Sequence, residues 1–176
     1  MALVAVLSGM MAGLGLSVLP VASQTEIPAG ADGSAIAAAD VVAGILSYTR
    51  WPDADGPVRL CVAGGSPLAA RMGPRTLVSG RALVVSRRAP GALPGEGCDA
   101  VFVGGVPPHE LGRIARASAG QAIITMTDDD PDCGSGMMLC LRRVGSGMSF
   151  DLNIDAVSRS RVRIDPRVLS LSRGRP

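Results

Sequence analysis

The sequence has no lysine: all 17 of its basic residues are arginine. Aromatic residues are nearly as scarce, limited to Tyr48, Trp51, Phe102 and Phe150, and His109 is the one histidine. There is no Cys-x-x-Cys pair, and no charged side chain falls within Met1–Ala22. Each shortage removes a class of function. Four aromatics cannot build a base-stacking platform, and a net charge of +2 spread along the chain is no phosphate-binding stripe, so nucleic acid is not an expected partner. A lone histidine and widely spaced cysteines do not match zinc-ligand spacing or a thioredoxin-like redox motif. Ser66 and Ser149 lie outside any Gly-x-Ser-x-Gly elbow. A hydrolytic triad would have to use His109, which follows Pro107-Pro108 at a helix start, where an imidazolium meets an unfavourable dipole. Lacking an acid/base pair, the chain reads as non-catalytic, with no cofactor or metal expected.

The uncharged N-terminus carries an apolar run, Ala2–Leu19, interrupted by Gly9, Gly13 and Gly15 and ended by Pro20. Val21 and Ser23 place small residues at the −3 and −1 positions of a signal-peptidase site. Residues 1–23 are therefore expected to be a cleaved signal peptide, with Gln24 as the mature start. The absence of Arg or Lys before the run is atypical, and a retained membrane anchor is the alternative, although the run is barely long enough to span a bilayer. Gln24–Gly33 reads as a flexible lead-in, 34–172 as one domain and 173–176 as a tail.

Cys61, Cys98, Cys133 and Cys140 make an even set behind an export signal, which points to two disulfides in an oxidising compartment. Free thiols or a metal site are the competing readings. Three pairings are open, and Cys61–Cys98 with Cys133–Cys140 is favoured because each pair lies in one local stretch.

Ser34 reads as the cap of a helix from Ala35 to about Tyr48, with Ile36, Val41, Val42, Ile45 and Leu46 largely on one face. Four short apolar runs follow: Val58–Ala63, Ala82–Ser86, Ala100–Gly104 and Ala122–Met126. Helical stretches near Pro67–Met72 and Pro108–Ala117 lie between them. Non-alternating strands separated by helices predict a mainly parallel sheet covered on both faces. Met137–Arg142 and Met148–Leu152, separated by Val144-Gly145-Ser146-Gly147, predict a C-terminal β-hairpin. Asn153–Ser158 reads as a helical turn or two, Val162–Ile164 as a last strand and Pro166–Ser172 as a last helix with Pro at its start.

Three local motifs have a plain and a functional reading. Gly64-Gly65-Ser66 follows a strand and precedes a helix; it lacks nucleotide-loop spacing and fits an ordinary βα turn. Asp128-Asp129-Asp130-Pro131-Asp132 could attract a hard cation, but departs from the EF-hand pattern and fits a solvated turn. Tyr48-Thr49-Arg50-Trp51-Pro52 ends a helix in an aromatic turn. Trp51 is either a cap on the core or, with Tyr48 and Arg50, an anchor for a partner, since Trp, Tyr and Arg dominate interface hot spots.

The order of several elements resembles the YfiR-like family of periplasmic proteins. They are Ser47-Tyr48-Thr49-Arg50-Trp51-Pro52 after a helix, the strand Val58–Val62, Gly97-Cys98-Asp99 leading into Ala100–Val103, Gly136-Met137-Met138, Phe150–Ala156 and Val162–Leu171. The resemblance runs from about Ala35 to Ser172 and includes all four cysteines. It implies a three-layer α/β sandwich, the two disulfides favoured above and a regulatory role. Such proteins restrain a membrane-bound diguanylate cyclase by binding its periplasmic part, which influences cyclic di-GMP signalling and biofilm formation, and they can be homodimers. A periplasmic module for a small ligand or cell-wall fragment is the alternative, with its site at the carboxyl ends of the parallel strands.

Overall fold

A computed structural model describes residues 29–52, 55–145 and 147–172. The expected signal peptide, residues 24–28 of the lead-in and the tail lie outside the described residues. The first helix, α1 (Ala29–Ser47), begins before the expected boundary. Ser34 is therefore not its cap, but a buried residue inside it, and the lead-in overlaps the helix. Packing explains the difference. Ala35, Ala38, Ala39, Val42, Ile45 and Leu46 form a buried stripe at helical spacing, and tertiary burial outweighs a local capping signal. Side chains reinforce the end of the helix: Ser47 Oγ donates to Ala43 O and Thr49 Oγ1 to Ile45 O, both at 2.8 Å, beside the Tyr48 N–H that also reaches Ile45 O.

A two-residue strand, β1 (Thr49–Arg50), follows directly. The main strands are β2 (Val58–Ala63), β3 (Arg75–Thr76), β4 (Ala82–Arg87), β5 (Ala100–Val103), β6 (Ile124–Thr127), β7 (Leu139–Val144) and β8 (Gly147–Leu152). They form a seven-stranded mixed sheet of order β3-β4-β2-β5-β6-β7-β8. The ladders β2–β4, β2–β5, β5–β6 and β6–β7 are parallel. The outer ladders, β3–β4 and β7–β8, are antiparallel. Along β2, Val58, Leu60 and Val62 enter one apolar cluster while Cys61 and Ala63 enter another, as the period of two requires. The first cluster lies under α1 and α2 (Pro67–Ala70) and takes in Phe102, Ile124 and Met126. The second lies under α3 (Pro108–Ser118), which contributes Leu111 and Ile114. Burying each large side chain of this kind contributes roughly 1.5–3 kcal/mol.

The chain ends with α4 (Ile154–Ser158), capped by the Asn153 side chain, then β9 (Arg163–Ile164) and a 3₁₀ turn, Pro166–Ser170. β9 pairs antiparallel with β1, Thr49 opposite Ile164 and Arg50 opposite Arg163. This small ribbon ties the end of α1 to the C-terminal segment.

Candidate functional site

The amino ends of the parallel strands converge on Asp99, the residue before β5. Its carboxylate accepts the Arg59 backbone N–H at 2.8 Å and the Arg59 guanidinium at 3.0 and 2.8 Å. Its carbonyl accepts the Trp51 indole N–H at 2.9 Å and the Ile124 N–H at 3.1 Å. One residue thereby joins β2, β5, β6 and the segment after β1. Burial pushes the Asp99 carboxyl up, but the hydrogen bonds and charge of Arg59, with the charge of Arg81, outweigh it and hold it below the usual carboxylate range. The Arg81 guanidinium lies 5.3 Å from the centre of the Trp51 ring, within cation–π range, and its Nε donates to Gly56 O at 2.8 Å.

Three adjoining clefts surround Tyr48–Trp51. The first, of about 450 Å³, includes Trp51, Asp55, Arg59, Arg81 and Asp99. The second, of about 380 Å³, is lined by Ser47, Thr49, Arg50, Trp51, Ser79 and Arg81. The third, of about 220 Å³, holds Tyr48, Arg50, Val78, Asp165 and Arg167. Arg50 is shared by the last two, and Trp51 and Arg81 by the first two. The three expected partner candidates thus lie along one surface. The half-buried Trp51 is anchored by its ring nitrogen and lines two of the clefts, with the Arg81 guanidinium over its ring. Next to it, the Arg167 guanidinium stands 5.7 Å from the Tyr48 ring centre. Hydrogen bonds from the side chain and backbone of Arg167 pull the Asp165 carboxyl down to about 2.

The carboxyl ends are closed more tightly. Ser66 caps α2, its Oγ accepting Ala69 N–H at 3.0 Å, so Gly64-Gly65-Ser66 is a βα turn. The crossover from β2 goes to β4 on one side, and the chain then returns to β5 on the other. The loops after β2 and β5 therefore diverge at the usual ligand crevice of such sheets. Here those loops are bonded together, Ser66 N–H to Gly104 O at 3.3 Å. Gly64 sits at φ +89°, and a Cβ on it would overlap the Gly104 carbonyl. The acidic run organises the neighbouring loops. Gly105 and Val106 N–H groups donate to Asp129, and Gly134 and Ser135 N–H groups to Asp130. Burial pushes the Asp128 carboxyl up, and the Asp129 charge adds to this against a lowering hydrogen bond from Ser66. A cleft of about 520 Å³ remains beside them, between Leu68 and the β7–β8 strands, with Arg142 and Arg143 on its wall.

Cys61 is joined to Cys98 and Cys133 to Cys140, with Cα separations of 5.7 and 5.6 Å that suit unstrained bridges. The first bridge is fully within the α3-side cluster; Cys133 of the second is partly exposed. Asp130 lies beside the second bridge, but sulfurs bonded to each other offer no thiolate to a metal. His109 is exposed at the start of α3, 3.9 Å from Glu110. Arg59, Arg81 and Asp99 were not anticipated. Their sequence signals are Arg59, the one charged residue in an apolar run and the one exposed position of β2, and Asp99, which closes the Gly97-Cys98-Asp99 element.

The fold is that of a disulfide-linked α/β domain with a seven-stranded mixed sheet and clefts at both ends of its parallel strands. The chain belongs to the YfiR/HmsC-like family, whose model matches residues 36–173. That family is periplasmic and regulatory, and is tied to diguanylate cyclase signalling. Among the described residues no helix is long and apolar enough to cross a membrane.

Proposed function

We propose that this protein is a non-catalytic periplasmic regulator, exported with cleavage after Ser23, that binds and restrains a membrane-bound diguanylate cyclase. Family membership over residues 36–173 carries the reading, and the open surface at Tyr48, Arg50 and Trp51 supports it as the contact region. Binding would lower cyclase activity by favouring one of its conformations, which requires a difference in affinity between the two. Expressing the protein with and without a neighbouring membrane cyclase, and measuring cyclic di-GMP, tests it. A fall on co-expression is expected; unchanged levels with every envelope-exposed cyclase would overturn it.

A second reading, capture of a small ligand, is favoured by the cleft of about 520 Å³ that places Asp128 and Asp129 opposite Arg142 and Arg143. A thermal-shift screen separates the two, because a ligand that binds the folded chain raises its melting temperature without any cyclase present.

A further inference from the structure

We infer that the cleft between Arg50 and Arg81 docks a carboxylate-rich segment of a protein partner. This deepens the proposed regulatory reading by naming the chemistry of its contact. The cleft holds two guanidiniums, three hydroxyl side chains and the Trp51 indole, and no carboxylate. Several other arginines are matched by a carboxylate of the chain itself. Arg59 is bonded to Asp99, Arg75 to Asp40, Arg113 to Glu110, Arg142 to Asp151 and Arg167 to Asp165. Among the described residues no carboxylate is hydrogen-bonded to Arg50 or Arg81. Asp165 feels the Arg50 charge, but both of its oxygens are taken by Arg167. Arg88, Arg116, Arg143, Arg161 and Arg163 also have no carboxylate partner among the described residues, but the three other clefts described above each place an aspartate beside their arginines, and this one does not.

The register of the ribbon strengthens the case. Arg50 stands directly opposite Arg163, and both are exposed. Like charges at opposed positions of an antiparallel pair destabilise it. An incoming carboxylate relieves that repulsion, so the free chain is set to gain from anion contact. Arg81 is already held in place, its guanidinium over Trp51 and its Nε on Gly56 O. A pre-positioned guanidinium loses little freedom on forming a two-pronged bond to a carboxylate. The site is concave, which suits inserted acidic side chains better than a flat bilayer face. Val78, 93% exposed on the adjoining rim, offers an apolar contact for a residue flanking the acids.

Trp51 is the chain's one indole, so its fluorescence reports on this cleft directly. The full mature protein is titrated with a short Glu/Leu peptide, the same peptide with Glu→Gln throughout, sodium acetate and phosphatidylglycerol vesicles. The Glu peptide should change Trp51 emission saturably, and its affinity should fall with salt. Arg50→Glu should weaken it about tenfold or more, and Arg81→Gln less, both with cooperative unfolding retained. Equal binding of the Gln peptide, saturation by acetate alone, tighter binding of vesicles, or an unchanged affinity in Arg50→Glu would each overturn the inference. Cyclic di-GMP in cells carrying Arg50→Glu separates it from the parent reading. Release of the cyclase with peptide binding intact sinks the acidic-segment inference and spares the regulatory role. Loss of peptide binding with the cyclase still restrained keeps the acidic-segment site and removes the cyclase from it.

Discussion

At the amino ends of the parallel strands, Asp99 is matched by Arg59, joined to Trp51 and bordered by open clefts. At the carboxyl ends, Asp128 is half-buried beside Asp129, and glycine loops are bonded across the crevice where sheets of this topology usually bind ligands. The two ends share one sheet and differ in loop chemistry. Small residues at Gly64, Gly104 and Gly105 let the loops after β2 and β5 meet and close the crevice between them, so that the cleft at this end lies to the side, against Leu68 and the β7–β8 strands. Arginines and one indole keep the other end open and charged. Topology designates a place where a site is possible; the residues in the loops decide whether there is room for one.

The largest test of this contrast concerns the bridges. Cys61→Ala with Cys98→Ala removes a link across 37 residues and should cost about 4 kcal/mol in urea unfolding. Gly64→Ala should cost about 3 kcal/mol, because its positive φ and the Gly104 carbonyl leave a methyl no place, whereas Gly65→Ala should be nearly neutral. Cys133→Ala with Cys140→Ala spans 7 residues and should cost about 2.5 kcal/mol. A larger loss from that pair than from Cys61 and Cys98 would reverse the expected ranking of the two bridges.

The carboxyls should respond to pH with opposite signs. Asp99 lies below its unfolded value, so its contribution is present above about pH 3.9 and is lost as pH falls through the lower folded value. Asp99→Asn should cost about 1 kcal/mol at neutral pH, since Arg59 is half exposed and the pair is screened, and the gap to the parent protein should close in acid. Asp128 lies above its unfolded value, so its ionisation opposes folding at neutral pH and the penalty fades as pH falls. Asp128→Asn should therefore give a gain of about 0.5 kcal/mol near pH 7 that vanishes in acid. Melting curves across pH check both, and curves that shift in the same direction would remove the contrast.

Much of the sheet was legible because β2, β4, β5 and β6 are short apolar runs bounded by turn residues. The β1–β9 ribbon and β3 were less so, since two residues carry no period; β9 was anticipated, but β1 and its pairing were not. The start of α1 was misplaced because Ser34 is a good cap by type, while the helix is held by residues packed beneath it. Tyr48, Arg50 and Trp51 stood out by composition. Arg81 and Asp99 did not, because they reach Trp51 only once separate strand ends are aligned. The acidic run looked like a solvated turn; its carboxylates instead accept loop N–H groups.

The bond between Cys61 and Cys98 encloses α2, β3 and β4 within a covalent ring. A pull applied at the two termini bypasses that ring. Some 37 residues, about 125 Å of extended chain, would stay slack until the bridge is reduced. An envelope unfoldase drawing this protein through a narrow pore would accordingly meet a doubled strand, and stretching under oxidising and reducing conditions would end at different lengths.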